Sequence, residues 1–123
     1  MRDARGFSLI EVLVIIVLVG VLSGLAISQY AAFRASSFDS KVTATVRGVA
    51  TGEEAYYAQY QSYAADVTTL KNVPVDDVDL VITPGNSGNL ATSFRIVGTH
   101  PGARKTSTWI SDPAAGEAHL TVN

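Results

Sequence analysis

The feature that most constrains this chain is an apolar stretch near its N-terminus. The sixteen residues Val12–Ile27 carry no charge and are mostly Val, Leu and Ile. Extended back to Phe7, the stretch has 21 residues and one charge, on Glu11. As an α-helix it would be about 30 Å long, which is the thickness of a bilayer's hydrocarbon core. From Gln29 onward the sequence mixes polar and apolar residues, so we predict an apolar helix followed by a soluble head of about ninety residues.

Two general explanations of this stretch compete. A secretory signal peptide would start with basic residues, here Arg2 and Arg5, and it would end in small ones. Gly24 and Ala26 could supply that end, but the apolar run is longer than a usual signal peptide allows. A plain membrane anchor, with the arginines in the cytoplasm, leaves Glu11 unexplained. A carboxylate within an apolar span costs about 2.5–3.5 kcal/mol at mid-depth, and its presence indicates a function.

A third explanation comes from the segment Gly6–Leu13, which reads Gly-Phe-Ser-Leu-Ile-Glu-Val-Leu. This segment resembles the processing site of class a type IV prepilins and the related pseudopilins. The resemblance continues through Gly20 to Gln29-Tyr30 and so covers about 25 residues. It implies that a prepilin peptidase removes a leader by cutting between Gly6 and Phe7. It further implies that the new N-terminal Phe7 is N-methylated.

Glu11 is the fifth residue after the implied cut, where the family carries a glutamate. On a helix its carboxylate lies on the same face as the amine of Phe7, four positions earlier. Cutting creates this amine as a cation, which can pair with Glu11 of its own chain or of a neighbour. The resemblance favours the neighbour, and we predict that the pair sets the register of a subunit in a fibre.

Small residues interrupt the apolar stretch. Gly20 and Gly24 have the small-xxx-small spacing that permits close helix contact in lipid, so we predict that they pack against neighbouring helices. The family often has a proline where this chain has Ser28, and a proline there would remove a backbone donor and kink the helix. The resemblance leaves open whether the helix is loosened between Gly20 and Ser28.

The predicted helix continues beyond the apolar stretch, from near Phe7 to about Tyr60, since no proline or clear stop interrupts it. Past Phe38, apolar side chains recur at spacings of three and four, with the small Gly52 in a gap. This pattern predicts an amphipathic half that packs on another element. The residues of the apolar stripe are Val42, Val46, Val49, Tyr56, Tyr60 and Tyr63.

After the helix, apolar residues alternate with polar ones between turn residues, which predicts four antiparallel strands. The alternating segments are residues 78–82, 94–97, 107–111 and 118–122. One sheet laid on the amphipathic half of the helix would bury both apolar faces. The predicted fold class is therefore α+β, with a long N-terminal helix packed against a C-terminal antiparallel sheet. The predicted core comprises Val42, Val46, Val49, Phe94, Ile96 and Leu120.

The composition offers few parts for catalysis or for a bound cofactor. The chain has no cysteine, and we interpret its two histidines, His100 and His119, as surface residues. The net charge of −2 and the small basic pair Arg104 and Lys105 argue against nucleic-acid binding. The acidic segment 76–79 lacks EF-hand spacing and the loop glycine, so we interpret it as a solvated turn rather than a calcium site. We predict no metal, no cofactor and no enzymatic activity.

The sequence thus predicts three segments: a leader at 1–6, a membrane and fibre-core helix at 7–28, and a head at 29–123. The predicted function, which rests on the resemblance, is that of a structural subunit of a type IV pilus-like fibre. The subunit would be made in a bacterial inner membrane and assembled at the cell surface. Its implied partners are copies of itself, the prepilin peptidase, the membrane, and an assembly platform with its ATPase. A minor pilin, a type II secretion pseudopilin and a membrane-anchored extracytoplasmic binding module are the alternatives.

Overall fold

The computed structural model describes residues 6–123. These residues form one α-helix, α1 (Leu9–Tyr60), a short 3₁₀ helix (Val67–Thr69) and four strands. The strands are β1 (Asp79–Pro84), β2 (Phe94–Thr99), β3 (Ser107–Ile110) and β4 (Leu120–Val122). The chain divides into two compact units, Met1–Arg34 and Ala35–Asn123, of which the second is called the head unit below. The predicted α+β class is confirmed.

Both ends of α1 are explained by local hydrogen bonding. At the start, the carbonyl of Ser8 accepts bonds from the N–H groups of Glu11 (3.0 Å) and Val12 (3.2 Å). At the end, Gln61 adopts a left-handed conformation with φ of 56°, and its N–H bonds the Tyr57 carbonyl at 2.8 Å. A left-handed residue just after the last turn is a common helix stop. The question left open by the sequence is answered here: the helix is continuous from Gly20 to Ser28, and Ser28, unlike a proline, keeps its backbone N–H.

The sheet is an antiparallel meander with the strand order β1-β2-β3-β4. Its register pairs Ile82 with Ile96, and Ile96 with Trp109. Side chains alternate across the sheet, so these three residues lie on the same face. That face is the buried one, because Ile96 is completely inaccessible while Val81, the neighbour of Ile82, is 57% exposed. The four predicted strands are confirmed, and β4, with three residues, is the shortest.

The core of the head unit forms between α1 and the sheet. Val42, Val46, Val49, Phe94 and Ile96 are all fully buried, as predicted. Around them lie Ala50, Ala64, Leu70 and Val78.

The close approach of helix and sheet depends on Gly98 of β2. A Cβ atom at this position would collide with Cγ2 of Val46 and would lie 3.2 Å from Cγ1 of Val42. A glycine is therefore required here for the valine stripe to reach the sheet.

Two members of the predicted apolar set are more exposed than the sequence indicates. Leu120 is only partly buried, because it begins the short edge strand β4. Tyr60 is 52% exposed, since it occupies the last residue of α1, while Tyr56 and Tyr63 do pack against the core. The assignment of Tyr60 to the packed face and of Leu120 to the buried core was therefore wrong.

Carboxylates hold the loops of the head unit in place, and we call these contacts carboxylate clasps. Oδ1 of Asp39, on α1, accepts bonds from the N–H groups of Arg104 (2.7 Å) and Lys105 (2.9 Å). Asp112, after β3, accepts bonds from the N–H groups of Asn86 (2.9 Å) and Ser87 (2.8 Å). Partial desolvation raises the pKa of Asp112, but these N–H donors outweigh it and leave the pKa below its ordinary value.

The acidic segment 76–79 contains a third contact of this kind. Asp77 pairs with Lys41 of α1, and its Oδ2 lies 3.1 Å from Nε2 of His100. Hydrogen bonds from Lys41 and His100 lower the pKa of the Asp77 carboxyl. The interpretation of His100 as a surface residue was wrong: its side chain is 9% exposed and its ring stacks on Phe38 at 4.2 Å. His119 is exposed, as predicted.

Candidate processing and assembly site

The bond between Gly6 and Phe7 lies outside the helix, which begins two residues after Phe7. Gly6, Phe7 and Ser8 have neither helical nor strand structure and are exposed, with Phe7 at 74%. A peptidase must engage both sides of the bond it cuts, and the hydrogen bonds of a helix oppose this. The first helical turn therefore starts late enough to leave the predicted cleavage bond accessible.

Glu11 lies in the first turn of α1 and is exposed. A carboxylate at a helix N-terminus interacts favourably with the unpaired N–H groups and the helix dipole, typically by about 0.3–1 kcal/mol. The structure thus gathers Gly6, Phe7 and Glu11 at one end of one helix. Their roles in cleavage, methylation and assembly remain predictions.

The part of α1 that follows Glu11 has few groups that would oppose its burial in a membrane. No charged residue occurs between Val12 and Phe33, and α1 is long and apolar enough to cross a bilayer. The hydroxyl of Ser23 donates to the Val19 carbonyl at 2.7 Å, and that of Ser28 donates to the Leu25 carbonyl at 3.0 Å. Both hydroxyls are therefore satisfied within the helix, which reduces the cost of placing them in lipid.

Gly20 and Gly24 are open to contact from outside the chain. A Cβ atom added at either position would meet nothing within 4 Å among the described residues. Neither glycine is thus needed for packing among residues 6–123. Because they are four residues apart on a helix, they lie on the same face, and their proposed contact with another helix remains a prediction.

The sequence analysis did not single out Glu53, a carboxylate that the fold buries near the end of α1. It is fully buried on the face that carries Val42, Val46 and Val49. Its Oε2 accepts a 2.8 Å bond from the N–H of Ala64, and its Oε1 has no hydrogen-bond partner within residues 6–123. The spacing of four from Val49 could have identified Glu53 as a member of the buried stripe, a position where a carboxylate is rare.

The environment of Glu53 keeps its carboxyl protonated at pH values where an exposed glutamate would have lost its proton. Burial raises its pKa from 4.5 to about 7, and the nearby Glu54 adds to the rise, while the Ala64 N–H opposes it. A protonated carboxyl avoids most of the cost of burying a charge. Glu53 therefore joins the end of α1 to the loop that follows it through a titratable contact.

The described residues, 6–123, contain no group of three or more histidine and carboxylate side chains placed to hold a metal ion. Asp76 and Asp79 remain exposed on either side of the Asp77 contact with Lys41 and His100.

Comparison with known proteins gives three similarities. A family model described as the prokaryotic N-terminal methylation motif matches residues 1–27. The type IV wide pilus major component PilA4 of Thermus thermophilus is 28% identical over 102 residues, which cover 83% of this chain and 78% of that protein. The type IV major pilin protein PilA of Myxococcus xanthus is 27% identical over 60 residues, which cover 49% of this chain and 27% of that protein.

Proposed function

We propose that the chain is a type IV pilin, a structural subunit of a type IV pilus fibre at the cell surface. The N-terminal methylation motif and the similarity to two type IV pilins support this proposal. The observation that carries the proposal is the N-terminal arrangement. An accessible Gly6–Phe7 bond precedes a helix with Glu11 in its first turn and an uncharged surface beyond it.

In this proposal residues 1–6 are the leader, of which Met1–Arg5 lie outside the described residues. Residues 7–28 cross the inner membrane before assembly and form the fibre core afterwards, and residues 29–123 face away from the core. A prepilin peptidase cuts the Gly6–Phe7 bond and methylates the new amine. A membrane platform with its ATPase then moves the subunit into the fibre, and the chain itself performs no catalytic step.

The physical basis of assembly is an exchange of one apolar environment for another. In the membrane the apolar half of α1 contacts lipid, and in the fibre it contacts the same segment of other copies. The hydrophobic free energy of the segment is therefore nearly the same in both environments. Apolar surfaces of this kind can slide, which leaves the register of a new subunit undefined. The pair between the Phe7 amine of one subunit and Glu11 of another fixes that register, because an unpaired charge in the core is costly.

We expect Glu11→Val to abolish fibre formation while the precursor is still inserted and cut. The change removes the partner of the Phe7 amine and adds an apolar side chain that suits lipid. The test is electron microscopy of surface fibres in cells that express only the variant, with mass spectrometry of the processed chain. Leu13→Val, a small apolar change nearby, is the control and should assemble normally. Fibres of normal amount and subunit spacing from Glu11→Val would contradict the role of Glu11.

We expect Gly6→Val to prevent processing. The family resemblance implies a small pocket for the last leader residue, and a branched side chain would not fit it. Mass spectrometry should find an uncut chain in the membrane fraction and less than about one-tenth of the normal amount of N-methylated chain, equivalent to a barrier raised by about 1.4 kcal/mol or more. Ser8→Ala, two residues downstream, is the control. Normal processing of Gly6→Val would refute the assigned cut.

A further inference from the structure

The segment that follows α1 is attached to the rest of the head unit by few hydrogen bonds. It comprises residues 62–66 and lies between the left-handed Gln61 and the 3₁₀ helix at Val67–Thr69. We call residues 62–66 the post-helix segment. Among the described residues, two of its backbone N–H groups are hydrogen-bonded, those of Tyr63 and Ala64. A segment held in this way opens locally at a lower free energy than the head as a whole.

The two hydrogen bonds end on different parts of the head unit. The Tyr63 N–H donates to the carbonyl of Leu90, in the loop before β2, at 2.9 Å. The Tyr63 ring also packs on Phe94, with ring centroids 4.6 Å apart. The Ala64 N–H donates to Oε2 of Glu53 at 2.8 Å, and both residues of this second contact are buried. Glu53 therefore provides one of the two main-chain attachments of the post-helix segment.

The Glu53 carboxyl is suited to its buried position only while it is neutral. Its Oε1 has no hydrogen-bond partner, and the residue has no ion-pair partner among residues 6–123. An ionised carboxylate would thus lose its hydration without receiving donors or a cation in return, so burial favours the protonated form. The raised pKa of Glu53 described above agrees with this geometry.

Few ionisable groups face Glu53 from the elements packed around it. On α1 the neighbouring carboxyl is Glu54, whose charge opposes a second charge on Glu53. In the post-helix segment, burial raises the pKa of Tyr63, so its hydroxyl stays neutral, and a backbone hydrogen bond lowers the pKa of Asp66. The core residues from the sheet and the 3₁₀ region are apolar. The other buried polar residues among those described do not titrate, and they are Ser93 and Ser107.

We propose that Glu53 is a proton-operated latch for the post-helix segment. With its proton, the carboxyl stays buried and holds the Ala64 N–H, so the segment is closed. Loss of the proton to water favours an open state in which residues 62–66 move away and the carboxylate becomes hydrated. The rest of α1 and the sheet remain folded in this open state. The latch belongs to the head unit itself and does not depend on the proposed fibre.

Opening of the latch changes the surface of the head unit beside β1. A groove of about 560 Å³ lies there, and its lining includes Leu80 and Ile82 of β1. Ala65 and Asp66 of the post-helix segment line the same groove. The groove therefore loses part of its wall when the segment opens, and the protonation of a buried carboxyl is transmitted to the surface.

Amide hydrogen exchange in the full chain, held in detergent micelles and followed by NMR, tests the latch. The closed state keeps the proton and the open state releases it, so opening becomes more favourable as the pH rises towards about 7 and levels off above it. Corrected for the intrinsic exchange rate, the protection factor of the Ala64 amide should fall at least about tenfold between pH 5 and 8. An equal protection factor at the two pH values would overturn the latch.

Two variants show whether Glu53 is the group responsible. Glu53→Gln keeps an oxygen for the Ala64 N–H but cannot ionise, so its Ala64 protection factor should change less than about twofold between pH 5 and 8. Glu54→Gln is the matched control on the same turn and should keep most of the fall. If Glu53→Gln kept the full fall, another group would operate the opening and the latch would be wrong.

Urea distinguishes local opening from unfolding of the whole head. The Ile96 amide lies in β2 at the centre of the core and serves as the internal reference for global unfolding. At pH 8 the Ala64 amide should be protected at least about tenfold less than the Ile96 amide. Its exchange should also be nearly insensitive to about 1 M urea, because a local opening exposes little surface. A shared protection factor and urea dependence for both amides in the unmodified chain would refute the latch.

Discussion

A fragment that begins at Ala35 and carries Val46→Asp is expected to be largely unfolded at 25 °C. Val46 is fully buried and lies against Gly98 of β2, so the new carboxylate would have neither solvent nor a counter-charge. The change removes apolar burial of about 1.5–3 kcal/mol and adds a charge penalty of several kcal/mol. That total is comparable with the whole stability of a small domain.

Circular dichroism during thermal and urea unfolding measures this effect. The matched control is Ala44→Asp, two residues earlier on the same helix, where the side chain is exposed. The control should change the free energy of unfolding by no more than about 0.5 kcal/mol. If Val46→Asp unfolded at the same temperature as the control, the valine stripe of α1 would not form the core.

Glu53→Gln is expected to remove most of the pH dependence of head stability between pH 5 and 8. In the folded chain the pKa of Glu53 is raised from 4.5 to about 7, so the folded state keeps a proton that the unfolded state has lost. The free energy of unfolding therefore falls as pH rises through this interval and levels off above it. A shift of this size corresponds to at most about 3 kcal/mol.

The glutamine keeps an oxygen that can accept the Ala64 N–H but cannot ionise. The two chains should therefore be similar in stability at pH 5, and the variant should be more stable at pH 8. Glu54→Gln is the control, because Glu54 is the exposed neighbour on the same turn and should leave most of the pH slope in place. Urea titrations at several pH values provide the measurement. Parallel pH profiles of the free energy of unfolding for the unmodified chain and Glu53→Gln would show that folding does not raise the pKa of Glu53.

The parts of the fold that depend on local pattern could be predicted from the sequence. Spacings of three and four among Val42, Val46 and Val49 specify one helical face, and alternation around Ile82 and Ile96 specifies strands. Both patterns predict the structure correctly because apolar burial dominates the energetics of the helix and the strands.

Features that depend on distant neighbours could not be predicted in this way. Leu120 alternates as well as Ile96 does, but its exposure depends on being in the edge strand, which is a property of sheet order. His100 is shielded because Phe38, far away in the sequence, stacks on it. Glu53 belongs to the helical stripe by spacing, but the N–H that accommodates it comes from the loop after the helix. The processing site, which stays a prediction, could be proposed from the sequence because all its residues lie within one short segment.

The carboxylate clasps have a consequence for where the head can fold. Asp39 and Asp112 close loops by accepting backbone N–H bonds, in a chain without a single cysteine. Closure by disulfide requires an oxidising compartment and fails in the presence of reductant. Closure by a carboxylate does not depend on the redox state of the compartment. The same loops therefore close on either side of the membrane and stay closed in the presence of thiol reagents. These contacts are instead sensitive to acid. The pKa of Asp112 is lowered, so its contribution to the stability of the head is lost as the pH falls through that pKa.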